Sequence, residues 1–319
     1  MVFVRIALII AAVYFLYCFI MFCVACLRRK PDPGTENPHS TWYAYRDMIH
    51  AGRDWFLSQP SEKVSITSRD GQKLYAAYLP CEGSKNTIIL VHGYRSNRFI
   101  DFACAFQMYH ELGLNILSID MRSHGDSEGK YILFGLAERY DIVDWAGFLN
   151  EKYHPDKIIF DGISMGAATV LMTLDLELPS NVAGVIADCG YTSPKAIWSY
   201  VAKRDMYCIP QLIMPGVSLL VKLFTGYDPA SSSAIEAVKK AKIPVLFVHG
   251  EADGFVPCYM SRENYEACAS EKTLLTIPGA KHGCSFLVDR EKCVRAIKDF
   301  LDLIGIRVLQ GEERLDSND

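Results

Sequence analysis

A serine between two closely spaced glycines is the first feature of the chain that predicts chemistry. Residues 162–166 read GISMG and fit the pattern G-x-S-x-G. They directly follow a predicted strand at Ile158–Phe160 and directly precede a predicted helix, which is the setting of a nucleophile on a sharp strand-to-helix turn. Bulky side chains at Gly162 or Gly166 would collide with neighbouring backbone there. We therefore predict that Ser164 is a nucleophile presented at the carboxyl edge of a sheet.

A serine hydroxyl needs a base to take its proton, and histidine is the usual base. His249 and His282 are the histidines that follow Ser164 in the chain. His249 ends an apolar run and precedes a glycine, a position that usually serves a turn. His282 lies in a loop just after the last predicted strand, at the same sheet edge as the serine. We expect His282 to be the base; the alternative is a histidine in a polar surface loop.

A carboxylate must orient the imidazole. Asp253 lies in the loop after the penultimate predicted strand, and the order Ser164, Asp253, His282 is the one that a strand–turn–helix nucleophile uses. Asp188 is the rival, because it ends the preceding strand at the same edge. We favour Asp253 as the acid and expect Glu251 to be a solvated loop residue.

Acyl transfer through a serine also needs donors for an oxyanion. The backbone N–H of Met165, directly after the nucleophile, is one candidate. The second should come from the loop after the third predicted strand, where Gly93 lets backbone approach the substrate and Tyr94 offers its N–H. We predict an oxyanion hole formed by Tyr94 and Met165.

These side chains require a sheet whose strand ends meet at one edge. Short apolar runs alternate with longer amphipathic stretches from residue 64 onward, and several runs are continuous Ile, Val, Leu and Phe, as in strands buried on both faces of a parallel sheet. Asp70-Gly71 predicts a hairpin turn between the first two. The predicted strands are Val64–Thr67, Leu74–Leu79, Thr87–Val91, Ile116–Ile119, Ile158–Phe160, Val182–Ala187, Val245–Val248 and Thr273–Ile277.

Four helices are predicted between these strands, at residues 98–112, 136–152, 166–176 and 288–303. Helices of that length supply the crossovers that parallel neighbours need. The predicted fold is an α/β domain at residues 63–305, with a mostly parallel eight-stranded sheet flanked by helices.

The N-terminus predicts a membrane anchor at residues 1–30. The 22 residues from Ile6 to Leu27 carry no charge, and a helix of that length spans about 33 Å, enough for the hydrocarbon core of a bilayer. A cleaved or lipid-modified signal, with Cys26 as the modified residue, and a buried core helix are the alternatives. Three basic residues follow the span, which favours a cytoplasmic catalytic domain. Eight scattered cysteines after the span agree with a reducing compartment.

Two polar or mixed segments flank the predicted domain. Residues 31–62 contain a Pro-rich linker and then aromatic residues near helical spacing, which predict a helix packed on the domain or an interfacial helix at the bilayer. Residues 306–319 form a polar C-terminal tail. The net charge of -4 gives no basic field that would attract nucleic acid.

Four groups of residues follow one another along the chain: Leu90–Gly93, Asp120–Ser127, Gly162–Gly166, and Val248–Pro257 followed by His282-Gly283. They resemble landmarks of the α/β-hydrolase family, in its serine-hydrolase branch of esterases, lipases and S33-type aminopeptidases. The resemblance extends over residues 64–303. It implies that the second group is a structural loop in which His124 is a hydrogen-bonded scaffold residue. Ser123 departs from the family, where glycine is frequent.

The resemblance also implies a cap over the nucleophile at about residues 191–240. Residues 209–224 within it are mostly apolar. They pack the cap on the sheet, or they form an apolar acyl pocket in which Ile163, Leu212 and Met214 contact the substrate.

The sequence as a whole predicts a membrane-anchored serine hydrolase that cleaves a carboxylic ester in a small-molecule or acylated substrate. The anchor favours an acyl lipid or another apolar acyl substrate. The predicted hydrolase mechanism requires no metal or organic cofactor. An aminopeptidase or amidase on the same fold is the alternative, and a non-catalytic binding protein is the alternative of another class. The oligomeric state is left open.

Overall fold

All eight apolar runs that the sequence predicts as strands lie in one sheet. The computed structural model describes residues 1–29, 35–38 and 40–307, so parts of the predicted linker at 31–40 and of the predicted tail at 306–319 lie outside it. The strands are β1 Glu62–Thr67, β2 Lys73–Leu79, β3 Asn86–Val91, β4 Asn115–Ile119, β5 Lys157–Ile163, β6 Val182–Asp188, β7 Val245–Gly250 and β8 Lys272–Ile277.

The strand order is β1-β2-β4-β3-β5-β6-β7-β8. Strand β2 runs antiparallel to both of its neighbours, and the other adjacent pairs are parallel. Val91 at the end of β3 pairs with Gly162 near the end of β5. The loop after β3 therefore begins beside the turn at Gly162–Gly166, which we call the serine corner. The predicted fold class, a mostly parallel α/β sheet of eight strands, is confirmed.

Helices fill the crossovers and the cap, and two 3-10 helices lie at Thr41–Tyr45 and Thr173–Asp175. The α-helices are α1 Val2–Cys26, α2 Arg46–Ser58, α3 Ala103–Glu111, α4 Glu138–Lys152, α5 Met165–Met172, α6 Pro194–Met206, α7 Pro210–Thr225, α8 Ala234–Val238, α9 Cys258–Ala267, α10 Ser285–Val288 and α11 Arg290–Leu303.

The sheet separates two apolar layers. Because successive side chains of a strand point to opposite faces, Phe160 and Val91 pack in one layer, with Trp145 of α4. Their neighbours Ile159 and Leu90 pack in the other layer. Burial on both faces explains why β3, β5 and β7 read as continuous apolar runs.

The segment before the sheet is packed on the domain. Ile49 and Phe56 of α2 are buried, and α2 lies against α3. Trp42, in the preceding 3-10 helix, donates its indole N–H to the carbonyl of His282 at 3.1 Å. These contacts pack one face of the aromatic segment on the domain.

The Asp120–Ser127 loop explains the departure at position 123. Ser123 has φ 64°, a left-handed conformation that glycine adopts at less cost than serine. The serine hydroxyl donates to the carbonyl of Tyr131 at 2.8 Å, a bond that glycine could not make. His124 in the same loop is buried and hydrogen-bonded at both ring nitrogens, so its predicted scaffold role is confirmed.

Helix α1 is the one helix of the described residues that is long and apolar enough to cross a membrane, with a mean hydropathy of 2.7 over its most apolar stretch. Most of that stretch is exposed, but Cys18, Phe22 and Cys26 are buried. Those residues pack against the domain, chiefly against α7 of the cap. The cap itself comprises α6, α7 and α8, which follow β6 and precede β7 along the chain.

Candidate active site

Ser164 occupies a strained turn between β5 and α5. Its backbone has φ 58° and ψ -114°, a conformation that costs energy for any residue other than glycine. The two glycines make the turn possible. A Cβ atom at Gly162 would lie 2.4 Å from backbone atoms of Gly166, and one at Gly166 would lie 2.0 Å from the carbonyl oxygen of Val91. The turn holds the hydroxyl at the carboxyl edge of the sheet.

The structure brings Ser164, His282 and Asp253 together in a line. The Nε2 atom of His282 lies 2.8 Å from Oγ of Ser164, and its Nδ1 lies 2.7 Å from Oδ2 of Asp253. With Nδ1–H donating to the carboxylate, Nε2 is free to accept the serine proton. This arrangement can generate an alkoxide-like nucleophile and stabilise the imidazolium that forms.

Asp253 is held as an ionised, correctly aimed carboxylate. Its Oδ1 accepts the backbone N–H groups of Phe255 and Val256 at 2.8 and 2.9 Å. Burial favours the protonated form, but hydrogen bonds from His249 and His282 outweigh it and hold the pKa of Asp253 well below its usual range. A carboxylate that stays charged when buried suits the partner of an imidazolium.

Asp188, the rival acid, has other partners. Its carboxylate accepts the hydroxyl of Ser285 at 3.0 Å, and no hydrogen bond joins it to His282 within the described residues. Burial raises the pKa of Asp188. The geometry therefore assigns the contact with His282 to Asp253.

Two buried histidines hold the loop after β3. The Nε2 of His92 accepts the backbone N–H of Met121 at 3.1 Å, and the Nε2 of His124 accepts that of Arg95 at 3.0 Å. Each Nδ1–H donates to a carbonyl, that of Gly93 or of Arg122. Both rings must be neutral to accept a hydrogen bond at Nε2, and burial lowers the pKa of His92 to about 4 and that of His124 to about 3.

The same loop runs close beside the serine. A Cβ atom at Gly93 would lie 3.3 Å from Cβ of Ser164. The Gly93 N–H donates to Asp101 at 2.5 Å. In the described part of the chain, the N–H groups of Tyr94 and Met165 donate to no protein group, so both are available to a ligand beside Ser164.

Two cavities meet at Ser164. One, of about 230 Å³, runs past His282, Trp42 and Ile163 toward Ser40. The other, of about 200 Å³, lies between the sheet edge and the cap and has almost entirely apolar walls. Tyr94, Arg95, Ser164 and Phe255 line both cavities. A substrate could thus place its two halves on opposite sides of the serine.

The three residues expected to contact substrate lie in different places. Ile163 lines the first cavity and Met214 the second. Leu212 lines neither; its side chain is 62% exposed, and its carbonyl accepts the Tyr14 hydroxyl at 2.9 Å. The prediction that Leu212 contacts the substrate is therefore wrong, because its position on α7 faces away from both cavities.

Three residues near the site were not expected as functional. His249 contacts the acid, Asp101 holds the loop after β3, and Trp42 binds the backbone of His282. The sequence offers a signal only for His249, which lies four residues before Asp253. The partners of Asp101 and Trp42 depend on how separate segments meet in the fold.

One group of possible metal ligands was found among the described residues, formed by Cys189, Asp253 and His282. Asp253 and His282 already bind each other, and burial raises the pKa of the Cys189 thiol well above its usual range. A protonated thiol is a poor ligand, so this donor set does not suit a metal ion.

Comparison with known proteins gives a consistent picture. A family model described as serine hydrolase (FSH1) matches residues 185–282. The uncharacterized protein YqkD of Bacillus subtilis is 26% identical over 272 residues, covering 84% of each chain. The lysophosphatidylserine lipase ABHD12 of Danio rerio is 21% identical over 251 residues, covering 78% of this chain and 63% of that protein.

Among solved structures, the esterase Pf2001 of Pyrococcus furiosus superposes with a TM-score of 0.63 at 23% identity. The match covers 79% of this chain and 95% of the esterase. At that identity the likeness shows the fold. The chain therefore has the α/β-hydrolase fold, and its similarities support a serine hydrolase of the esterase type.

Proposed function

We propose that the protein is a membrane-anchored serine hydrolase that cleaves a carboxylic ester through an acyl-enzyme on Ser164. The observation that carries the proposal is the position of His282, within hydrogen-bond distance of both Ser164 and Asp253. That contact set is what nucleophilic catalysis by serine requires.

In this mechanism His282 takes the Ser164 proton as Oγ attacks the ester carbonyl. The tetrahedral oxyanion accepts the N–H groups of Tyr94 and Met165. His282 then protonates the leaving alcohol, and the acyl group remains on Ser164. A water molecule gives a proton to His282 and attacks the acyl carbon. The bond between the acyl carbon and Oγ then breaks, and His282 returns the proton to Oγ, which releases the acid and restores the serine. Asp253 stays ionised throughout and stabilises the imidazolium.

The shape of the site supports an apolar acyl group. The cap-side cavity is lined by Trp198, Met214 and Val217 among others, and an acyl chain there would be removed from water. The cavity past Trp42 is more polar and would take the alcohol. The relative named as a lysophosphatidylserine lipase supports an ester over an amide.

We also propose that α1 is a retained anchor. A signal sequence is the alternative, because it can share the length and apolar composition of α1. Retention is supported by the contacts of α1 with the domain, because cleavage after α1 would remove Phe22 and Cys26 and expose the cap surface that these buried residues cover. The basic residues after the span favour a cytoplasmic catalytic domain. Membrane fractionation together with the intact mass of the purified chain tests retention.

The proposal is tested by measuring hydrolysis of p-nitrophenyl esters from C2 to C16 by the detergent-solubilised full chain. Ser164→Ala should lose turnover by on the order of 10⁶-fold. Ser285→Ala is the matched control and should stay active. It also removes a buried serine hydroxyl, but that hydroxyl binds Asp188 and not His282. Equal activity of wild type and Ser164→Ala would overturn the proposal. Aminoacyl anilides in the same assay test the peptidase alternative.

A further inference from the structure

The C-terminal turn of α1 is capped by the domain, chiefly by the loop after β3. The last carbonyls of a helix have no partner within it, and here the domain supplies partners. The carbonyl of Val24 accepts a guanidinium N–H of Arg95, that of Ala25 accepts the hydroxyl of Tyr94 at 2.8 Å, and that of Cys26 accepts the Ile132 N–H at 2.7 Å. The Arg95 cation also complements the negative end of the helix dipole.

Further along, α1 packs closely on α7 of the cap. A Cβ atom at Gly216 would lie 2.5 Å from Sγ of Cys18, so the absence of a side chain there lets the two helices approach. The rings of Phe22 and Phe224 stack with centroids 5.3 Å apart. The contact runs from Tyr14 to the end of the helix, which is about 20 Å of its length.

This docking places α1 in the wall of the apolar cavity. Met21, Val24 and Ala25 line it from the α1 side, opposite Trp198 and the other cap residues, and Ser164 is at its base. Val24 is 40% exposed and Met206 is 36% exposed, so the cavity reaches the surface between α1 and the cap.

The surface around that opening is apolar. The exposed side chains of α7 include Leu212, Leu219, Leu223 and Phe224, and Lys222 is the one charged residue of this helix. These side chains adjoin the exposed apolar surface of α1. A patch of this kind, continuous with a helix that would span a bilayer, fits lipid acyl chains.

We propose that α1 forms one wall of the acyl pocket, and that the substrate is a membrane-resident acyl ester whose chain enters from the bilayer between α1 and the cap. The anchor then determines chain-length specificity as well as location. This inference rests on the proposed function, since the pocket holds an acyl group only if Ser164 is acylated.

The first test fills the pocket from the α1 side. Ala25→Trp and Met21→Trp, in the full chain in nanodiscs, should lower kcat/KM for C12–C16 esters at least about tenfold relative to C2–C4 esters, as expected when two or more methylenes lose their burial. Ile20→Trp is the matched control, because Ile20 is exposed on the same helix and does not line the cavity. Unchanged chain-length preference, or an equal change in the control, overturns the proposal.

The second test does not depend on substituted variants. A long-chain alkyl fluorophosphonate with a terminal diazirine would label Ser164 and, on irradiation, crosslink to the residues around its chain. We expect adducts on residues 21–25. Adducts confined to the cavity past Trp42 would overturn the proposal and leave the serine hydrolase intact. Failure to label Ser164, together with failure to hydrolyse short esters, would instead overturn the proposed function.

Discussion

The Nε2 atom of His249 lies 3.3 Å from Oδ2 of Asp253, the same oxygen that faces His282. The His249 ring is fully buried. Its Nε2–H also donates to the carbonyl of Val256 at 2.9 Å, and its Nδ1 lies 2.7 Å from the hydroxyl of Ser261. His249 thus acts as a positioning residue that contacts the acid at the same carboxylate oxygen as the base.

Loss of that contact should lower turnover. In His249→Gln we expect kcat to fall about tenfold with KM unchanged, because Asp253 loses a hydrogen bond that holds its charged carboxylate in place. Initial rates over a range of concentrations of one short ester measure kcat and KM separately. An unchanged kcat, or a change confined to KM, would contradict the positioning role.

The two candidate acids can be separated directly. Asp253→Asn should reduce kcat by on the order of 10³–10⁴-fold, because the amide cannot hold His282 in the required tautomer. Asp188→Asn should retain most activity, since Asp188 binds Ser285. Initial rates on one short ester suffice, and a larger loss in Asp188→Asn than in Asp253→Asn would reverse the assignment.

The positions of the eight strands and of the turn at Gly162–Gly166 were predictable, because continuous apolar runs and the glycine spacing each reflect a local requirement. The start of α3 was not. The predicted helix at 98–112 begins only at Ala103, because Asp101 uses its carboxylate to bind Gly93 and Ser96 of the preceding loop. Such a bond depends on tertiary structure, which the spacing of apolar residues in the sequence does not indicate.

The role of α1 shows the same limit. A helix that is apolar all round gives no signal of which face contacts protein. The sequence therefore predicts a membrane span, but not that Val24 and Ala25 meet Arg95 and Tyr94. Leu212 is misplaced for a related reason, because α7 packs on α1 and α6 in a way that leaves the Leu212 side chain exposed.

The serine corner should not tolerate a methyl group. Gly166→Ala would place Cβ 2.0 Å from the Val91 carbonyl oxygen, and we expect a loss of at least about 2 kcal/mol in the free energy of unfolding. Gly147→Ala is the control, because no atom lies within 4 Å of its added Cβ and alanine favours helix α4 by about 0.5–1 kcal/mol. Melting temperatures in detergent should move in opposite directions, and a stable Gly166→Ala would contradict the geometry.

Acid should weaken the loop after β3. His92 and His124 have pKa values of about 4 and 3 in the folded chain, below the value of about 6.5 expected when unfolded. As pH falls below about 6.5 the unfolded chain takes up protons that the folded chain does not. Stability should therefore fall, by up to about 1.4 kcal/mol per pH unit for each imidazole.

Substitution of one imidazole isolates its share of that slope. Melting curves of His124→Asn should depend less steeply on pH between 6.5 and 4 than those of wild type. His154→Asn is the control, because His154 is exposed and has φ 50°, a conformation that asparagine accepts. Parallel pH dependence in all three chains would show that His124 is not a buried neutral ring.

The most direct test of the account is to identify the residue that a fluorophosphonate modifies. The geometry of Ser164 and His282 predicts one adduct per chain, on the peptide that contains Ser164, and none on Ser164→Ala. Intact-mass and peptide mass spectrometry give the result. An adduct on a different residue, or ester hydrolysis by a chain that forms no adduct, would contradict the central claim.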